Sequence, residues 1–152
     1  MGRILFVSSG GGHWVQLTRI IKELKLERHE FHIASTSDGI RCLGKDVKTI
    51  PDFNKSKPFK ILMGSIIILL YIFKIRPTLA ISTGAAPGLL CLLFTRLLGG
   101  KTIWIDSIAN TEKLSLSGRL ARFFSNQVLT QWDHLGDGKK LVTTGGLFND
   151  FL

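Results

Sequence analysis

The sequence predicts an α/β fold, a single Rossmann-like domain over residues 1–152 built on a mostly parallel sheet. Three observations lead there. Apolar runs of strand length alternate with segments of helical period, the pattern of βαβ units. A chain of 152 residues is enough for one ordinary domain. Finally, 45% hydrophobic and 20% charged residues supply the material for a core, which excludes intrinsic disorder. The 16 glycines are clustered rather than periodic and no heptad persists, so collagenous and coiled-coil chains are excluded as well.

Each element follows from its residues. Ile4-Leu5-Phe6-Val7 is a continuous β-rich run, as a strand buried on both faces requires. After a Ser8–Gly12 loop, Trp14, Leu17, Ile20, Ile21 and Leu24 recur at helical spacing while Lys22, Glu23 and Lys25 face outward. Further strands are expected at Phe31–Ala34, Val47–Ile50, Leu79–Ser82, Thr102–Ile105, Val128–Thr130 and Leu141–Thr143. Helices are expected between them near 59–75, 87–98 and 117–125, with Ser117 as the N-cap of the last. Parallel sheets of this kind bind ligands at their strand C-termini.

The stretch Ile61–Phe73 stands apart, with 13 residues and no charge, bracketed by Lys55, Lys57 and Lys60 before it and Lys74 and Arg76 after it. As a helix it is about 20 Å long, short of the roughly 30 Å hydrocarbon core of a bilayer. A complete span is not expected. A helix that only covers a sheet keeps a polar stripe, and here Gly64, Ser65 and Tyr71 are the only relief. The expected contact is partial insertion into an anionic leaflet, with a purely buried helix covering the sheet as the alternative. Lys60 and Lys74 would meet the headgroups while Ile67, Leu70 and Phe73 enter the apolar layer.

Charge agrees. Twenty Lys and Arg against 11 Asp and Glu give a net charge of +9. Residues 1–76 hold 13 basic and 6 acidic side chains and the remainder 7 and 5, so the surplus gathers around the apolar stretch. An anionic partner is implied. Nucleic acid fits poorly, because no RNP, helix-turn-helix or zinc-finger pattern occurs and the aromatics lie in apolar runs. Cys42 and Cys91 lack CxxC spacing, and Met1-Gly2-Arg3 runs straight into the first strand. Reduced thiols and a cytoplasmic setting are the expectation.

The strongest local signal is Ser8-Ser9-Gly10-Gly11-Gly12-His13, at the end of one strand and the start of a helix. Glycines let the backbone approach a ligand, and the helix N-terminus offers free N–H groups and partial positive charge to an anion. The pattern is neither GxGxxG nor a Walker A loop, so neither a redox dinucleotide nor a P-loop nucleotide is expected. Neutral His13 can take a proton from a sugar hydroxyl, and charged His13 can pair with phosphate. Gln16, one turn along, can reach the same ligand.

A second small-residue turn, Ser82-Thr83-Gly84-Ala85-Ala86-Pro87-Gly88, opens a helix at the same sheet edge, with Thr83 and Gly84 lining the cleft. Asp106 and Ser107 end another strand there. The Asp106 carboxylate can orient a hydroxyl, act as a base or cap the next turn. Ser8, His13 and Asp106 could be assembled into a hydrolase triad, but no G-x-S-x-G elbow is present, so that chemistry is disfavoured. His29, His32 and His134 have no ligand spacing, so no metal and no cofactor is expected.

Three stretches, SSGGGHWVQL, ISTGAAPG and KTIWIDSIANTEKLSLSGRLARFFSNQVLTQW, resemble the acceptor-side, membrane-associated subunit of two-component glycosyltransferases. That family includes the eukaryotic asparagine-linked-glycosylation membrane subunit and bacterial PssD-like proteins of capsule and exopolysaccharide synthesis. The glycine loop is also similar to the GGH-bearing loop of the transferase that forms peptidoglycan lipid II. Eukaryotic members carry an N-terminal membrane helix, which makes the bacterial type the closer match.

The resemblance implies the N-terminal half of a GT-B glycosyltransferase, inactive alone, working by inverting, metal-independent chemistry. A partner subunit would hold the UDP-sugar. Gly10, Gly11, Gly12 and His13 would face the pyrophosphate of a polyprenyl-linked acceptor, assisted by Gln16, Thr83, Gly84 and Ser107, with His13 or Asp106 moving the proton. Phe148, Phe151 and Leu152 are expected to dock on the partner, at the cytoplasmic face of the membrane. The alternative is a non-catalytic adaptor that only tethers and stabilises the catalytic subunit.

Overall fold

A computed structural model describes residues 2–24, 26, 29–53, 58–137 and 141–143. The chain runs β1 (Arg3–Ser8), α1 (Gly12–Glu23), β2 (Glu30–Ser35), β3 (Arg41–Cys42), β4 (Lys45–Asp46), β5 (Lys48–Thr49), α2 (Pro58–Ile75), β6 (Leu79–Ser82), α3 (Ala85–Leu97), β7 (Lys101–Ile105), α4 (Leu116–Phe124), β8 (Gln127–Thr130) and β9 (Leu141–Thr143), with a 3-10 turn at Asp133–Leu135. Seven strands form one sheet in the order β5-β2-β1-β6-β7-β8-β9, every pair in it parallel.

This order positions the site. From β1 the chain moves outward through β2 to β5, then α2 returns it to β6 on the other side of β1. The reversal lies between β1 and β6, whose register pairs Ile4 with Leu79 and Val7 with Ser82. The turns after these two strands, Ser9–Gly11 and Thr83–Gly84, therefore stand side by side at the crevice where doubly wound sheets bind ligands.

The alternation of β1 divides the core. Leu5 and Val7 pack with Ile68, Ile72, Cys91, Leu92 and Ala121 on the side covered by α2, α3 and α4. Ile4 and Phe6 pack with Leu17 and Ile21 of α1 on the other. Strands buried on both faces read as unbroken apolar runs, which is why the sequence located them so well.

Several boundaries differ from expectation. Val47–Ile50 contracts to Lys48–Thr49, preceded by an unanticipated antiparallel hairpin of β3 and β4. Its two-residue loop, Leu43-Gly44, has φ of 49° and 75°, a mirror-type turn whose usual marker is Asn-Gly rather than Leu-Gly. Helices α1 and α3 begin two residues earlier than their periodicity suggested, because small residues and Pro87 are tolerated in a first turn. The cap of α4 is Ser115, not Ser117. Ser115 Oγ accepts the Gly118 N–H at 2.9 Å, the N-cap to N3 geometry.

Candidate functional site

At the crevice, Gly11 takes φ 68° and ψ −138° to turn the chain from β1 into α1. No side chain caps this helix, and a Cβ at Gly11 or Gly12 would meet only open space. Amides at its first turn thus face outward with the positive end of the helix dipole. The Gly10 N–H donates to Thr36 Oγ1 at 3.1 Å, which anchors the loop to the turn after β2. At the loop's base the Ser8 hydroxyl is wholly buried and has no partner among the described residues. Sequence reasoning considered Ser8 only as a loop residue or a triad member, and its burial at the end of β1 was not foreseen.

His13 is bound to the neighbouring turn twice. Its Nδ1 lies 2.8 Å from the Thr83 carbonyl oxygen, and Thr83 Oγ1 donates back to the His13 carbonyl at 2.8 Å. A carbonyl only accepts, so Nδ1 carries the proton, and in the neutral ring the Nε2 lone pair is left free. Nε2 has no partner among the described residues. The ring lies against Gly84, where a Cβ would come within 2.6 Å of His13 Cγ. Next to it Ala85 holds φ 65°, a left-handed conformation that alanine adopts at a cost. Thr83 and Gly84 are both buried, and the Thr83 hydroxyl and carbonyl are both engaged with His13.

Asp106 is equally tied down. It is 2% exposed; Oδ1 accepts Trp104 Nε1 at 3.0 Å and Ser115 Oγ at 2.6 Å, while Oδ2 accepts Asn110 Nδ2 at 3.1 Å and the Ser115 N–H at 2.9 Å. A Cβ on Gly118 would fall 2.7 Å from Oδ1, so only glycine lets α4 approach. The IDS, Asn110 and SLSG elements are thus one network that folds the β7–α4 loop around a buried carboxylate. Its backbone carbonyl accepts Gln16 Nε2 at 3.2 Å, which locks α1 to β7. Gly12, Gln16 and Ser107 border a cleft of about 550 Å³ there, walled by Ile20, Ile105 and Ile108. Gly10, Gly11, Gly12, His13, Gln16, Thr83, Gly84, Asp106 and Ser107 all lie at one sheet edge.

On the sheet face covered by three helices, α2 buries Gly64, Ile68, Ile72 and Ile75 as one stripe. Its opposite arc exposes Phe59, Leu62, Met63, Ile66, Ile67, Leu69, Leu70 and Phe73. Lys60 and Lys74 flank that arc and are exposed. Beyond the expected residues, Leu97 of α3 and Leu116, Leu120 and Phe123 of α4 are exposed as well, the last 85% exposed. Helices α2, α3 and α4 contain no Asp or Glu. Among the described residues, no helix is long and apolar enough to cross a membrane, and no group of His, Cys, Asp and Glu could hold a metal ion. Phe148, Phe151 and Leu152 lie outside the described residues.

Residues 53–147 match the family model described as oligosaccharide biosynthesis protein Alg14 like. The chain is 26% identical over 163 residues to the UDP-N-acetylglucosamine transferase subunit ALG14 of Yarrowia lipolytica, covering 89% of this chain and 76% of that protein. Among solved structures it is similar to Acinetobacter baumannii MurG (TM-score 0.70, 16% identity, 96% of this chain). It is also similar to the UDP-N-acetylglucosamine 2-epimerase of Rickettsia bellii (TM-score 0.68, 12% identity, 99% of this chain). The chain spans 46% of each of those two structures. At such identities the likeness shows the fold alone, a Rossmann-like domain on a parallel sheet. The family match covers well over half of the sequence, and the chain belongs to the Alg14-like family of oligosaccharide biosynthesis proteins.

Proposed function

We propose that this chain is the acceptor-binding and membrane-recruiting subunit of a two-component glycosyltransferase in polysaccharide biosynthesis, of the capsule or exopolysaccharide type. A partner subunit binds the UDP-sugar, and the acceptor is a polyprenyl-pyrophosphate-linked saccharide at the cytoplasmic face of the membrane. The observation that carries this reading is the state of His13: Nδ1–H is fixed by the Thr83 carbonyl and Nε2 is free, beside an uncapped helix N-terminus at Gly11 and Gly12.

The chemistry follows from that arrangement. The acceptor pyrophosphate sits on the outward amides of the first turn of α1, where the helix dipole favours negative charge. An acceptor-sugar hydroxyl donates to His13 Nε2 and gives up its proton as its oxygen attacks the anomeric carbon of the donor. The bond from that carbon to the UDP oxygen breaks, UDP leaves with the electron pair, and the configuration inverts without a metal. The Thr83 carbonyl, accepting from Nδ1–H, stabilises the imidazolium that forms. Asp106, with both oxygens engaged, shapes the cleft wall and positions Ser107 and Gln16.

The three-helix face is the membrane contact. Full burial of a large apolar side chain is worth about 1.5–3 kcal/mol, so leaving the eight of α2 half exposed forgoes on the order of 10 kcal/mol unless another phase covers them. With cations flanking them and no carboxylate in the three helices, an anionic leaflet is the matching phase.

The test is sugar transfer from a panel of UDP-sugars to a polyprenyl-pyrophosphoryl acceptor in membranes, with this chain alone, the partner alone and both together. Transfer only with both is the expected result. Full activity from the partner alone overturns the reading and leaves a tethering adaptor.

A further inference from the structure

Away from the catalytic crevice, a groove of about 760 Å³ runs between α2 and the outer edge of the sheet. One wall is apolar, made by Ile67, Leu70 and Ile75 of α2. Ile67 and Leu70 also belong to the exposed apolar arc, so the groove opens from the helix face already described. Its other lining includes Lys45, Lys48 and Lys74, all exposed.

Two carboxylates share this lining, and each has its own neighbour: Asp46 pairs with Arg41 at 3.0 Å, and Glu30 lies 3.6 Å from the His32 ring. None of the three lysines has a carboxylate partner among the described residues. Lys45 is oriented by the sheet edge. Its ammonium lies 3.8 Å from the Phe31 ring centroid and donates to the Phe31 carbonyl at 3.4 Å. That carbonyl is available because β5 pairs with β2 only at Ala34 and Ser35, leaving Glu30–Ile33 unpaired on the outer side. His32 Nε2 is buried there without a hydrogen-bond partner.

We infer that this groove is a binding site for a single anionic phospholipid, its phosphate held by Lys45, Lys48 and Lys74 and one acyl chain laid along Ile67, Leu70 and Ile75. The inference rests on the reading of α2 as the membrane-facing helix and deepens it. Diffuse attraction gives affinity for negative surface, whereas a groove of this shape requires phosphate and chain together. A lipid seated there fixes the rotation of the domain on the membrane, and so the direction in which the crevice at the other end of the strands opens.

The experiment uses the full chain and a water-soluble short-chain phosphatidic acid below its micelle concentration, followed by calorimetry and by chemical shifts of the Tyr71 ring, which also lines the groove. Inorganic phosphate and the matching short-chain phosphatidylcholine are the controls. Binding of the phosphatidic acid alone is expected. The variant K45Q/K48Q/K74Q, all three at exposed positions, should weaken it roughly a hundredfold, about fivefold per lysine, with the circular dichroism unchanged. Equal binding of phosphatidylcholine would reduce the groove to an apolar patch, and binding of phosphate alone would make it a free-anion site. Unaltered affinity in the triple variant also overturns the proposal. Vesicle sedimentation separates it from the reading beneath it. L62S/I66S, outside the groove, should lose vesicle binding yet keep the short-chain lipid. If the unaltered chain fails to sediment with anionic vesicles, the membrane reading itself fails.

Discussion

Replacing Asp106 with alanine removes a carboxylate that four donors share, and the consequences can be counted. Trp104 Nε1 and the Ser115 N–H lose their acceptor, as do the Ser115 hydroxyl and the Asn110 amide. Asn110 and Ser115 are partly exposed and can turn to water, but Trp104 is 1% exposed and cannot. A stranded buried donor costs about 1–3 kcal/mol, and the Ser115 cap of α4 loosens at a further ~1 kcal/mol. With the small cavity left behind, Asp106→Ala should destabilise the fold by about 3–5 kcal/mol, a large share of the 5–15 kcal/mol typical of a domain. At about 2–4 °C per kcal/mol for a chain of this size, the thermal midpoint should fall by roughly 10 °C. Asp106→Asn keeps one acceptor oxygen but turns an amide toward other donors, so about half that loss is expected. Urea and thermal unfolding followed by circular dichroism measure both. An Asp106→Ala protein within about 1 kcal/mol of the unaltered chain would refute the view that this carboxylate organises the loop and would return it to the list of proton acceptors.

Other consequences follow from single positions. Gly84→Ala puts a methyl group where the His13 ring lies, so turnover in the assembled pair should drop about a hundredfold, the low end of general-base effects, while complex formation by pull-down persists. Ala85→Gly relieves the φ of 65° and should raise unfolding free energy by about 0.5–1 kcal/mol in urea titrations. Burial pushes the Cys91 thiol far above its ordinary 9.0, and burial, then Cys91, pushes Tyr71 up from 10.0 to about 12. Folding therefore favours the protonated forms. Their contribution is complete below pH 9, and stability should decline as pH rises above that value and the unfolded chain ionises. A flat stability profile from pH 8 to 11 would contradict the burial of these two groups.

Much of this architecture was legible in the residues because buried parallel strands write themselves as apolar runs. Leu79–Ser82 and Leu141–Thr143 were bounded to the residue, and the two small-residue turns fell where the strand order reverses. The hairpin at Leu43-Gly44 was not legible, since leucine in a left-handed turn carries no composition signal. Nor was the role of Asp106. Its four partners span Trp104 to Ser115, and no spacing rule links an indole, an amide and a cap to one carboxylate. The tautomer of His13 depends on a contact with Thr83, 70 residues away, which only the pairing of β1 with β6 creates. For the apolar helix the reverse holds. Its charge-free run was plain, but the exposure of Leu116, Leu120 and Phe123 at spacings of four and three residues went unread, although those positions alone mark a helical stripe.

The proton-moving role proposed for His13 is tested most directly by steady-state sugar transfer with the reconstituted pair carrying His13→Ala and His13→Gln. We expect both variants to bind the partner and the membrane as the unaltered chain does. Turnover should fall by about 10²–10⁴-fold. Turnover within a few fold of the unaltered pair would contradict this role for His13 and assign the base to the partner subunit.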